Sequence, residues 1–113
     1  MLLVATEVRA SKIQGVGLFA TKPIRKGTVI WEYTEGFDQQ FTLKQFERFP
    51  KRLQAFIDRY AFEDGKYLIL CVDNARFFNH SKQANTYSVG EVTVAKRNIR
   101  KGEELTSNYR EDW

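Results

Sequence analysis

The chain has 113 residues, which is enough for one compact domain and too few for two, and its 18 Lys and Arg against 14 Asp and Glu give a net charge of +4. Hydrophobic residues make up 42% of the chain and aromatic residues 14%, so it can bury a core and we do not expect a disordered chain. No apolar run approaches the roughly 20 residues of a membrane span. The N-terminus has no basic segment ahead of an apolar one, so we predict no signal peptide.

The chain has a single cysteine and a single histidine, Cys71 and His80. No disulfide can form within the chain, which fits a reducing compartment. A structural zinc site takes four Cys or His ligands, so we predict no metal site. Cys71 lies in an apolar run and is interpreted as a small core residue. We therefore expect an intracellular protein, which would be cytoplasmic, or nuclear if its source is eukaryotic or viral.

In chain order, most of the predicted elements are short strands. Thr28–Tyr33 is rich in β-branched and aromatic residues, and Glu91–Ala95 alternates apolar and polar residues, so both are predicted strands. The Asp-Gly pair at 64–65 lies between two strand-like runs and predicts a hairpin within 60–72. These patterns indicate a mainly β domain.

A helical insert is predicted at approximately 42–60. Its apolar residues are spaced by three and four, as on one face of a helix: Leu43, Phe46, Phe49, Leu53, Phe56, Ile57 and Tyr60. Thr42 is the predicted N-cap, with Gln45 completing a capping box, and Pro50 should divide the insert into two helices. We expect the Phe residues of this face to pack in the core rather than to contact a ligand.

A short sequence occurs twice. Ile24-Arg25-Lys26-Gly27 recurs as Ile99-Arg100-Lys101-Gly102, 75 residues later, and small or apolar residues match on both sides. Each copy has the pattern of a strand, a basic Gly turn and another strand. The repeat predicts pseudo-symmetric β-structure on either side of the helical insert.

Two segments have unusual density of glycine or polar residues. Gly15-Val16-Gly17 could allow close backbone approach to a ligand or form an ordinary turn, and it lacks the third glycine of a dinucleotide-binding fingerprint. The segment 76–81, Arg-Phe-Phe-Asn-His-Ser, places His80 among polar residues, with Asn85 close behind, and predicts a hydrogen-bonded node. No nucleophile elbow surrounds Ser81, so a serine hydrolase is not indicated.

A third segment, Gly102–Tyr109, ends the last predicted strand. Its two glutamates, Glu103 and Glu104, could act in acid–base chemistry, but their position after a basic turn favours solvated charges. The hydroxyl of Tyr109 could reach a site at the end of that strand.

Taken together, these three segments resemble the SET-domain protein lysine methyltransferases. The family has, in order, a G-x-G segment, an R-F-I-N-H-S-C-x-P-N motif and a G-E-E-L-T-x-x-Y motif, which match Gly15–Gly17, Arg76–Asn85 and Gly102–Tyr109. The match covers nearly the whole chain. The resemblance implies a β-clip-like SET fold of several small sheets with a short helical insert and a C-terminal pseudoknot.

The resemblance also implies roles for individual residues. The residues expected to bind S-adenosyl-L-methionine, the family's cofactor, are Gln14, Gly15, Val16, Gly17, Arg76, Asn79 and His80. Tyr109 is the expected catalytic residue, and Tyr33 and Trp113 are expected at the substrate channel. The chain departs from the family pattern at Lys82 and Ala84, where Cys and Pro are usual, and at Ser107, where Tyr or Phe is common.

We expect one SET domain over residues 1–113, without the zinc modules that flank it in many members. Trp113 or a second copy of the chain, in a homodimer, would then close the lysine channel. The predicted activity is methyl transfer to lysine side chains of histones or other basic proteins. The alternative is a SET-fold module that binds cofactor or basic peptides without turnover. Nucleic-acid binding is disfavoured because no basic run reaches five residues.

Overall fold

The computed structural model describes residues 1–63 and 66–108, and within them the chain is mainly β, as predicted. The strands are β1 Thr6–Ala10, β2 Val16–Ala20, β3 Val29–Glu32, β4 Gln39–Phe41, β5 Phe62–Glu63, β6 Leu68–Leu70, β7 Asn79–His80, β8 Thr86–Val89, β9 Val92–Ala95 and β10 Glu104–Ser107. The helices are α1 Leu43–Arg48, α2 Lys51–Tyr60 and a 3₁₀ helix, Asn74–Phe77. Among the described residues, no helix has the length and apolar character needed to cross a membrane.

The strands form three small sheets, with the orders β1-β2-β10-β7, β3-β9-β8 and β4-β6-β5. In the first sheet β10 pairs antiparallel with β2 and parallel with β7. The last strand is therefore inserted between two segments that precede it by many residues. This insertion is the part of the expected C-terminal pseudoknot that lies within the described residues.

The repeated sequence folds as two equivalent turns. Ile24 and Ile99 form an antiparallel bridge in which each backbone N–H donates to the other's carbonyl at 2.8 Å. Gly27 and Gly102 both have φ of 88°, a left-handed conformation that favours glycine. One turn joins β2 to β3 and the other joins β9 to β10, so the predicted pseudo-symmetry is confirmed.

Two apolar clusters form the core. The first contains both repeat isoleucines and is composed of Leu18, Ala20, Ile24, Ile30, Ala95, Ile99 and Leu105. The second is composed of Trp31, Ile69, Cys71 and Ala75. Cys71 is buried, as expected, and burial raises the pKa of its thiol because the thiolate would be desolvated.

The helical insert has the predicted boundaries but not the predicted burial. Thr42 caps α1 in a complete capping box with Gln45, and Pro50 separates the two helices. The expectation that the Phe residues of this face pack in the core is wrong: Phe56 is 42% exposed, and Phe46 and Phe49 are only partly buried. Within the insert only Ile57 is buried, because α1 packs mainly against β4 and α2 against β6, and most of their remaining surface is exposed.

The predicted hairpin is also present. Strands β5 and β6 pair antiparallel, with Phe62 opposite Ile69 and Glu63 opposite Leu68. The Asp-Gly pair that predicted the turn lies outside the described residues. Strand β4 pairs with the other edge of β6.

Candidate active site

The fold brings together the three segments that the sequence singled out. The G-x-G segment opens β2, and β2 pairs with β10, the strand of the third segment. On its other edge β10 pairs with β7, so that Thr106 lies opposite Asn79 and Ser107 opposite His80. A side chain from each segment can therefore reach the same end of one sheet.

The side-chain amide of Asn79 connects all three segments. Its Nδ2 lies 3.0 Å from the Val16 carbonyl, 3.2 Å from the Gln14 carbonyl and 2.8 Å from Oε2 of Glu104. Oγ of Ser11 lies 3.2 Å from the same nitrogen. With two hydrogens to donate, the amide has acceptors on every side, and it holds the backbone of the G-x-G segment against β7.

Glu104 is a structural acceptor within this network. Its Oε1 accepts a hydrogen bond from Ser11 at 2.7 Å, while its Oε2 accepts from Asn79. The expectation that Glu104 is a solvated charge is therefore wrong. Gly17 makes this arrangement feasible, because a Cβ there would overlap Oε2 of Glu104 and lie 2.7 Å from its Cδ. Sequence reasoning missed Ser11, since a single serine ahead of a glycine turn gives no signal.

Glu103 faces away from this network. Its carboxylate pairs with Arg97 at 2.9 Å and accepts a hydrogen bond from the backbone N–H of Arg100. The hydrogen bond from Arg97 lowers the pKa of Glu103, and the Arg100 backbone bond acts in the same direction. The two adjacent glutamates therefore have separate structural partners.

Asn85 fixes β10 from the other side. Its Nδ2 donates to the Glu104 carbonyl at 2.8 Å, and its Oδ1 accepts from the backbone N–H of Thr106 at 2.9 Å. Asn85 is buried, so these bonds also satisfy polar groups that would be costly to leave unpaired. The polar density of the second motif thus forms the hydrogen-bonded node that the sequence predicted.

An open cleft of about 530 Å³ lies beside Asn79. Its lining residues come from the G-x-G segment, the end of α2 and the second motif: Gln14, Val16, Arg59, Tyr60, Arg76, Phe77, Phe78, Asn79 and His80. Five of the residues expected to bind cofactor therefore line one cleft, while Gly15 and Gly17 lie in the backbone beside it. Arg59 and Tyr60 were missed, because the insert was interpreted as core rather than as part of a site.

Cations and aromatic rings alternate along this cleft. The guanidinium of Arg76 lies 5.0 Å from the ring centre of Phe77 and 6.0 Å from that of Tyr60. The guanidinium of Arg59 lies 5.5 Å from the Tyr60 ring. These contacts are within the range of cation–π attraction and orient both cations beside apolar faces.

A second, largely apolar cavity of about 510 Å³ adjoins the cleft. The two share three lining residues, Tyr60, Arg76 and Phe78. The remaining lining residues are Trp31, Ala61, Phe62, Cys71, Ala75, Ser88, Thr93 and Ser107. Ser107, at the position where the family commonly has an aromatic residue, therefore faces this cavity.

The remaining predicted site residues lie further away or outside the described part of the chain. Tyr33 lines a neighbouring recess that shares Trp31 and Phe62 with the apolar cavity. Desolvation raises the pKa of its hydroxyl, and the negative charges of Asp38, Glu35 and Glu91 raise it further. Tyr109 and Trp113 lie outside the described residues.

The three motifs that predicted the SET-domain class therefore meet in one sheet, with the cleft and the apolar cavity beside them. The SET domain family model matches residues 15–110, and the chain belongs to this family. The match includes all three motifs.

Curated relatives agree with this assignment. The chain is 33% identical, over 90% of its length, to histone-lysine N-methyltransferase trr of Drosophila melanogaster. It is also 33% identical, over 96% of its length, to an H3 lysine-36 specific histone-lysine N-methyltransferase of Mycosarcoma maydis. It spans only 5% and 12% of those two proteins.

Solved structures share the fold. A Plasmodium falciparum protein, designated a candidate histone methyltransferase, superposes with a TM-score of 0.71 at 21% identity, covering 99% of this chain and 98% of the other. A chain of a humanized mutant of Chaetomium thermophilum Polycomb Repressive Complex 2, bound to an inhibitor, gives a TM-score of 0.74 at 21% identity. That match covers 97% of this chain and 15% of the other.

Proposed function

We propose that this chain is an S-adenosylmethionine-dependent methyltransferase that acts on lysine side chains of proteins. The observation that carries the proposal is the pair of adjoining spaces that share Tyr60, Arg76 and Phe78 in their linings. The cleft is lined by the family's cofactor motifs and by two arginines, and the cavity is largely apolar. Two reactants that enter from opposite sides would meet where the spaces adjoin, and such positioning accounts for much of the rate of a displacement reaction.

The residues of the cleft fit the expected cofactor. Aromatic side chains at Tyr60 and Phe77 can pack against an adenine ring, and Arg59 and Arg76 can pair with the carboxylate of a methionine moiety. The G-x-G backbone, held by Asn79, has no side chain at Gly15 or Gly17 to obstruct a ligand. When bound there, S-adenosylmethionine supplies an electrophilic methyl group.

The apolar cavity fits the substrate side chain. A lysine has a long apolar stem, and the walls of the cavity include Trp31, Phe62 and Phe78. The target amine must also lose its proton, and the difference between a pKa of about 10.4 and pH 7 costs about 4.6 kcal/mol. An apolar enclosure disfavours the ammonium form and so removes part of this cost. We propose that the hydroxyl of Tyr109 orients the resulting amine.

Histones are the proposed substrates, because the curated relatives are named histone-lysine methyltransferases. Glu103 is paired with Arg97, and Glu104 is held by Asn79 and Ser11, so we propose no role for either glutamate in binding a basic peptide. A homodimer that completes the lysine channel and a location in the cytoplasm or nucleus stay proposals.

The test combines cofactor binding with methyl transfer. Titration calorimetry should give saturable binding of S-adenosylmethionine, and the labelled cofactor should transfer label to histones. Tyr109→Phe should abolish most of the transfer and leave cofactor binding within about twofold, since the hydroxyl acts on the amine. Binding of cofactor without transfer to histones or other basic proteins would favour the alternative, a SET-fold module that does not turn over.

A second variant tests the cavity separately. Ala61→Phe should fill space that the lysine stem needs, because Ala61 lines the apolar cavity and not the cofactor cleft. We expect lower methylation of a histone peptide with unchanged calorimetric affinity for cofactor. Full peptide methylation by a folded Ala61→Phe variant would show that the lysine enters elsewhere.

A further inference from the structure

The two copies of the repeated sequence form one continuous basic surface, defined here as residues 22–28 and 95–103. Their backbones bond reciprocally: the N–H of Gly27 donates to Ala95, and the N–H of Gly102 donates to the matching residue Ala20, both at 2.8 Å. With the bridge between Ile24 and Ile99, these bonds hold the turns side by side. Residues that are 75 positions apart in sequence therefore share one surface.

This surface is strongly positive. Seven exposed cations lie on it: Lys22, Arg25, Lys26, Lys96, Arg97, Arg100 and Lys101. Its single acid is Glu103, which pairs with Arg97. The other six cations form no ion pair with any described residue. A groove of about 690 Å³, lined by Pro23, Ile24, Arg25, Asn98, Ile99, Arg100 and Lys101, runs between the turns.

The surface lies at the far end of the sheet from the cofactor cleft. Strand β2 begins at Val16, which lines the cleft, and ends at Ala20, beside the first turn. Five residues of strand span about 16 Å. Strand β10, which has four residues, runs in the opposite direction, from the second turn to Ser107. The basic surface is therefore separate from the site, and the proposed chemistry does not use its charges.

We propose that this surface binds the phosphate backbone of double-stranded DNA. Closely spaced, unpaired Lys and Arg side chains match a polyanion with regular charges, and binding is driven by the release of counterions. Neither segment contains an aromatic residue on which an unstacked base could lie, which disfavours single strands. The surface is made of turns rather than a helix that could enter the major groove, so binding should be independent of sequence.

The choice of DNA, rather than another duplex, rests on the proposed function, because histone substrates carry DNA. Contact with that DNA would hold the enzyme near its substrate, while the site about 16 Å away remains accessible. The sequence alone disfavoured nucleic acid because neither basic segment is long. The structure joins the two segments, so that the three cations of the first and the four of the second lie on one surface.

The experiment measures DNA binding without cofactor, so that its result is independent of any methyltransferase activity. A fluorescein-labelled duplex of about 20 base pairs is titrated by anisotropy between about 50 and about 200 mM salt. Lys26→Gln with Lys101→Gln neutralises equivalent positions in the two turns. Lys44→Gln with Lys51→Gln, on the exposed helical insert, changes the net charge equally and serves as the matched control.

We expect the turn variant to bind the duplex about tenfold more weakly at the lowest salt, and its log Kd–log salt slope to fall by roughly 1.8, as for two lost phosphate contacts. The control variant should change by less than about twofold. Equal weakening in both variants would show a net-charge effect and overturn the proposal. Tighter binding of a single strand or of duplex RNA than of duplex DNA would also overturn it. Circular dichroism verifies that both variants fold.

Discussion

At the scale of the residue, Gly17 is required by the side chain opposite it rather than by its own backbone angles. A Cβ at this position would overlap the Glu104 carboxylate, which is held by Ser11 and Asn79. Gly17→Ala should therefore displace Glu104 and cost about 1–3 kcal/mol of the free energy of unfolding. Urea unfolding of the variant measures this cost. Cofactor affinity, followed by calorimetry, should fall at the same time because Asn79 loses an acceptor.

A double-mutant cycle isolates the cause of that cost. Glu104→Ala removes the obstructing carboxylate, so Gly17→Ala should cost much less in the Glu104→Ala background than in the wild-type chain. Additive costs would show that the destabilisation arises from the backbone and not from the overlap with Glu104. Neighbouring Glu103→Ala offers a control, since Glu103 pairs with Arg97 and does not face Gly17.

At the scale of the element, helix α1 is well capped but poorly buried. Thr42 and Gln45 form a reciprocal capping box, yet no residue of this helix is buried. Thr42→Ala should remove about 1 kcal/mol from the helix, which corresponds to roughly fivefold faster amide exchange at Phe46. The midpoint of global unfolding should move little, because few tertiary contacts depend on α1. Hydrogen exchange and urea unfolding measure the two effects.

Thr42→Ser keeps the capping hydroxyl and should restore most of the exchange protection. If Thr42→Ala lowered the global unfolding midpoint as much as the local protection, α1 would belong to the cooperative core. In that case the exposed apolar side chains of the insert would contribute more to folding than their surroundings in the structure indicate.

Local patterns predicted the insert's boundaries but not its surroundings. Thr42, Gln45 and Pro50 act within a few residues of themselves, so their effects were visible in the sequence. Whether Phe56 is buried depends on what packs against the helix, and the periodicity of one helix carries no information about its partner. For the same reason Arg59 and Tyr60, which line the cleft at the end of α2, were not predicted as site residues.

At the scale of the whole molecule, the site depends on a long-range insertion that no local pattern encodes. Strand β10 enters between β2 and β7, and only this pairing brings Glu104 to Asn79. The motifs in the sequence indicated which residues belong to the site. Only the resemblance to a known family indicated that these residues lie together in the fold. The repeated sequence was sufficient by itself, because two copies of one turn sequence predict two equivalent turns. The equal φ angles of Gly27 and Gly102 and the reciprocal backbone hydrogen bonds confirm that prediction.

The bridge between the two copies leads to a prediction about the stability of the whole domain. Ile24 and Ile99 are buried at 5% and 1% exposure in the same cluster, so Ile24→Val and Ile99→Val should each cost about 0.5–1.5 kcal/mol of the free energy of unfolding. Because bridge partners contact one another, the double variant should depart from additivity by about 0.5 kcal/mol or more.

The control is Ile13→Val, which makes the same chemical change at a 49% exposed position and should cost less than about 0.5 kcal/mol of the free energy of unfolding. Urea unfolding of the four variants measures these costs, and strictly additive costs at Ile24 and Ile99 would show that the two turns stabilise the domain independently.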